Sequence, residues 1–209
     1  MKNGNHKIIG TRPVRHDGID KVTGRAVYGA DVRLPKMLYG KVKRSPYAHA
    51  KIVSIDCSKA LEMPGVKAVA TADDLVNTVD KMSDVGETVV NTREIAQNSL
   101  ASDKVLYKGH SIAAVAAISP HIAEEALDLI DVEYEPLPPV IDVLEAMSDN
   151  APLLDEKLTT KSMGEDSKKP SNIASHNQYK IGNPEKQFVE ADVIVEREFR
   201  TATVHQGYI

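Results

Sequence analysis

The sequence predicts an α+β fold, and three observations carry that prediction. Short runs rich in β-branched residues, KIVSID at 51–56 and VKAVA at 66–70 among them, are separated by glycine and proline turns. The uninterrupted apolar run from Ile112 to Ile118 has the length of a strand and no polar alternation, as expected of a strand buried on both faces. Directly after it, Ile122, Ala123, Ala126, Leu127 and Ile130 recur at helical spacing opposite Glu124, Glu125 and Asp128, which is an amphipathic helix.

In chain order, residues 1–17 carry Lys2, Lys7, Arg12 and Arg15 around Ile8-Ile9 and read as an extended arm, solvated or docking. The stretch DGIDKVTGRAVYGADVRLP places Gly18, Gly24 and Gly29 as turns between short extended pieces. LYGKVKRS reads as a strand with Leu38, Gly40 and Val42 on one face. CSKALEMPG is one helical turn stopped by Pro64 and Gly65. Thr71 is an N-cap for the turn ADDLV. Residues 77–101 are polar and weakly periodic, a loop excursion with room for one short helix. Val105–Tyr107 and Ile112–Ile118 flank Lys108-Gly109-His110 as a hairpin would. Ser119-Pro120 supplies an N-cap and a first-turn proline to the amphipathic helix. VEY is a strand ended by the PLPP at 136–139, because proline cannot donate to a ladder. IDVLEAM closes the compact part near residue 148. Residues 155–187 hold too few large apolar groups to offset the entropy of ordering and read as a connector. FVEADVIVEREFR then alternates like a strand, with Val193 and Val195 on one face.

Composition narrows the function classes. A formal charge of −4, no Trp and 4% aromatic residues supply neither the basic footprint nor the stacking platforms of a nucleic-acid binder. No apolar run approaches the ~18–20 residues that span a bilayer, and MKNGNHKIIG has no apolar signal core; neither a membrane nor nucleic acid is an expected partner, and the cytoplasm is the expected compartment. Cys57 is the only cysteine, so the chain alone forms no internal disulfide and holds no iron–sulfur cluster, which takes about four protein ligands. None of the seven histidines has another at the three-to-five spacing of a zinc site.

The chain carries no G-x-G-x-x-G, P-loop, G-x-S-x-G or H-E-x-x-H motif. His110 follows Gly109 without a nucleophile or orienting acid close in sequence and reads as a turn residue. Glu124, Glu125 and Asp128 read as the solvated face of their helix. His49 in SPYAHAKI sits among small residues at a strand start and reads as structural. From the residues alone, the reading is an α+β domain over 18–148, followed by 149–209 as a connector and the opening of a second domain that cannot fold by itself at that length.

Taken in order, the phrases DGIDKVTGRAVYGADVRLPKMLYGKVKRSPYAHAKIVSIDCSKALEMPGVKAVATADDL, VLYKGHSIAAVAA and AEEALDLIDVEYEPLPPVID resemble the α/β hammerhead domain that opens the molybdenum-binding subunit of the xanthine dehydrogenase and aldehyde oxidase family. ADVIVEREFRTATVHQGYI resembles the first strand of that family's molybdopterin-binding domain, so the chain is expected to continue past Ile209. The resemblance implies an oxidoreductase that hydroxylates an aldehyde or nitrogen heterocycle with oxygen from water. It implies a molybdenum–molybdopterin cofactor bound mainly by the remainder of the chain. It also implies 2Fe-2S clusters and FAD on partners, an iron–sulfur small subunit and an FAD subunit. His205 and Gln206 are the cofactor-binding candidates, being the polar groups of VHQGYI. Catalytic and metal-ligating residues are not expected within this chain. A stand-alone hammerhead acting as an assembly module is the competing reading. One departure, GHSI at 109–112 where many bacterial relatives have Gly-Glu-Pro-Val, falls at a turn.

Overall fold

Backbone pairing in the computed structural model builds two three-stranded antiparallel sheets, neither of which is made from consecutive strands. The structure describes residues 7–75, 81–84, 86, 89–162, 167–199, 201–202 and 204. The chain divides into two units, one running to Leu137 and one from Pro138 onward.

In the first unit, α1 (Gly18–Val22) and a 3-10 turn (Gly29–Asp31) precede β1 (Tyr39–Arg44), β2 (Ala50–Asp56), α2 (Ser58–Glu62) and β3 (Val66–Thr71). A second 3-10 turn (Ala72–Asp74) follows, with Thr71 at its N-cap as expected and the Thr71 N–H donating to Asp74 Oδ2 at 2.8 Å. Next come the hairpin β4 (Met82–Asp84) and β5 (Val89–Asn91), then α3 (Thr92–Ser99), β6 (Lys104–Val105), β7 (Ser111–Ala117), α4 (Pro120–Asp128) and β8 (Asp131–Pro136). One sheet has the order β1-β7-β3 and the other β6-β2-β8. β7 is central because its Ala and Val side chains are small and apolar on both faces: Ala113, Val115 and Ala117 are buried, and Ala114 and Ala116 are half-buried.

Two apolar clusters form the core. Ala60, Ala113, Val115, Ala126 and Ile130 make one, and Ala50, Ala101, Val105 and Ile112 the other; Ile55 and Val132 pack against both. The α4 helix starts as its residues dictate, with Pro120 in the first turn and Ser119 Oγ accepting from the Ile122 N–H at 3.2 Å. Ser119→Ala is expected to lower stability by about 1 kcal/mol through loss of that cap, read as a shifted denaturation midpoint at unchanged slope.

Three expectations are corrected and one is met: Leu38, Gly40 and Val42 share a face at β1, the exposed one, while Tyr39, Lys41 and Lys43 are half-buried. The lysine stems run inward because their heads find partners on α4: Lys41 pairs with Glu124 at 3.5 Å, and Lys43 Nζ donates to the Leu127 carbonyl at 2.8 Å, satisfying the helix C-terminus. The runs around Lys108-Gly109-His110 are not a hairpin: β6 pairs with β2, while β7 pairs with β1 and β3. Residues 17–35 hold a helix and a 3-10 turn where extended pieces were expected.

In the second unit, α5 (Val143–Ala146) precedes β9 (Lys161–Ser162), which pairs in parallel with β10 (Ser175–His176), and α6 (Pro184–Glu190) comes last. Asn172 ties this irregular region together: its Oδ1 accepts from Leu154 N–H, and its Nδ2 donates to the Ala146 and Pro152 carbonyls. The third correction falls here. Phe188–Glu190, read as the start of a strand, complete α6, and residues 191–199 lie in neither helix nor strand. Asn183 Oδ1 accepts from the Lys186 N–H at 3.1 Å and Pro184 follows it, a cap and first-turn proline that override the alternation.

Candidate functional site

His205 and Gln206, the residues put forward for cofactor binding, lie outside the described residues, as does Thr203; Val204 is exposed. Among the described residues, no group of three or more His, Cys, Asp or Glu side chains is placed to hold a metal ion. No chemical step is assigned to the described residues.

The first unit does contain a buried polar node, centred on His110. His110 is fully buried in the turn before β7, its ring stacked on Tyr107 with centroids 4.4 Å apart. The Leu106 N–H donates to Nδ1 at 3.1 Å, so the proton sits on Nε2, which donates to the Gln97 carbonyl at 2.8 Å. That carbonyl is one of the four at the end of α3 that no helical N–H reaches. Asn91 caps the other end of the same helix, its Oδ1 accepting from Arg93 and Glu94 N–H groups. Gln97 Nε2 in turn donates to the Lys104 carbonyl at 3.0 Å. His110 thus welds α3 to the β6–β7 turn as a neutral imidazole, and burial lowers its pKa from the usual histidine value, opposed by the bond to Gln97.

The same turn explains why β6 and β7 part company. Gly109 has φ of 88°, its N–H donates to the Ser45 carbonyl, and the Ser45 N–H donates to the His110 carbonyl, both at 2.9 Å. These two bonds pin the turn to the β1–β2 corner, where Ser45 and His49 are buried and Tyr47 meets Tyr134 at 5.1 Å. The His49 carbonyl accepts from Leu137 N–H at the end of β8. Cys57 is half-buried, and its thiol pKa is raised by that burial first and by the charges of Asp56 and Asp74 second, which keeps it protonated and poorly nucleophilic. Glu124 is held by Lys41, and Glu125 and Asp128 face outward. Both ring nitrogens of His110 are taken up by backbone groups, which leaves neither to activate a nucleophile, so the node is a structural one.

The sequence matches the family described as "Aldehyde oxidase and xanthine dehydrogenase, a/b hammerhead domain" over residues 23–138, more than half of the chain. This chain belongs to that family. The carbon monoxide dehydrogenase large chain of Afipia carboxidovorans is 36% identical over 205 residues, covering 94% of this chain and 24% of that protein. The nicotinate dehydrogenase large molybdopterin subunit of Eubacterium barkeri is 32% identical over 204 residues, 98% of this chain and 43% of that one. In structure, reconstituted CO dehydrogenase from Oligotropha carboxidovorans superposes with a TM-score of 0.67 at 35% identity, over 88% of this chain and 22% of that chain. The α+β hammerhead expectation and the family resemblance therefore stand. The family is molybdopterin-dependent, and its members are oxidoreductases. The chain spans about a quarter of the length of the carbon monoxide dehydrogenase relative. Among the described residues, no helix is long and apolar enough to cross a membrane.

Proposed function

We propose that this chain is part of the molybdenum-binding subunit of a molybdenum hydroxylase, an oxidoreductase that hydroxylates an aldehyde or nitrogen heterocycle with oxygen taken from water. The observation that carries the reading is the joint agreement of sequence and fold with the large chain of CO dehydrogenase. In this reading the hammerhead, residues 18–148, is a scaffold, and 149–209 is the connector and the beginning of the molybdopterin-binding domain. His205 and Gln206 are its candidate cofactor contacts, and the pterin and its metal are bound mainly by residues beyond this chain. Electrons leave through 2Fe-2S clusters and FAD on an iron–sulfur small subunit and an FAD subunit, in the cytoplasm. Support for partner chains comes from the relatives, which are named as a large chain and a large molybdopterin subunit.

The test is elemental analysis of the intact protein purified with its partner subunits, alongside reduction of an artificial electron acceptor with aldehydes and purines in labelled water. Molybdenum close to one per protein and label in the hydroxylated product are expected. A metal-free protein from a host that loads other molybdenum enzymes would leave the assembly-module reading standing instead.

A further inference from the structure

We draw no further inference here: the strongest candidate, the face of the β1-β7-β3 sheet turned away from α4, where Gly40, Val42 and Ala68 lie exposed beside Ala114 and Ala116, carries nothing, because nothing in the structure shows what covers it.

Discussion

His110→Leu is expected to destabilise the first unit by about 2–5 kcal/mol, although leucine fills much of the same space and is itself apolar. The cost comes from what the imidazole leaves behind. The Leu106 N–H and the Gln97 carbonyl are both spoken for by His110, and each becomes a buried polar group without a partner at about 1–3 kcal/mol. The substitution also changes the pH dependence. Because the folded-state pKa of His110 is lowered, its contribution is fully present above the unfolded value near 6.5. As the pH falls below that value the unfolded chain takes up the proton first, and the contribution drains away until the folded-state pKa is reached. Denaturation midpoints from pH 8 to pH 5 should therefore fall more steeply in the wild type than in His110→Leu. Parallel curves would mean that the ring is not held neutral by its two backbone partners.

Gly65→Ala is the second large effect, expected at about 2–4 kcal/mol from two sources. Gly65 has φ of 96°, a left-handed conformation that costs an L-residue roughly 1–2 kcal/mol. A Cβ there would lie 2.8 Å from Ile122 Cδ1 and 3.2 Å from Ile118 Cγ1, and overpacking of this kind costs roughly 1–3 kcal/mol. The glycine is also a joint, since its carbonyl accepts from the Ile118 N–H at 3.0 Å where β7 gives way to α4. Introducing Gly65→Ala into an Ile122→Val background, which lacks the Cδ1 atom, removes the closest of these contacts. The drop in the loss measured there by equilibrium denaturation is the Ile122 share of the clash, and the remainder holds the backbone cost together with the contact to Ile118. A neutral Gly65→Ala in the wild-type background would contradict the close approach itself.

The parts of this fold that were legible in the sequence are those where one local signal dominates. Ser119-Pro120 announced α4, the apolar run announced β7, and PLPP announced the end of β8, because caps, core strands and prolines act over a few residues. The same kind of signal is present at Asn183-Pro184 and is outweighed by an alternating pattern behind it, so the first turn of α6 reads as connector and Phe188–Glu190 as the start of a strand. Strand partners were not legible. Gly109 and His110 supply good turn chemistry, yet two hydrogen bonds to Ser45, more than sixty positions away, send the flanking strands into different sheets. The inward lysines of β1 were hidden for a related reason: Lys41 and Lys43 are held half-buried by what α4 offers them. Of the candidate site, the family resemblance reached His205 and Gln206 only by analogy of position. The buried role of His110 had no sequence signal beyond a histidine after a glycine, since its two partners come from α3 and the segment after β6.

The strand order sets a schedule for the growing polypeptide. Of the first three strands, β1 and β3 wait for β7, and β2 waits for β6 and β8, so none can pair with another of the three. A ribosome that has made only the first hundred residues therefore presents three unpaired edges at once, with Ile52, Ile55, Val66 and Val69 still uncovered. Pairing across roughly forty to eighty-six positions is slow because the loop must close before any contact rewards it. The interval until β8 emerges is when this chain most needs a chaperone, and a pause in translation just before Asp131 would prolong it.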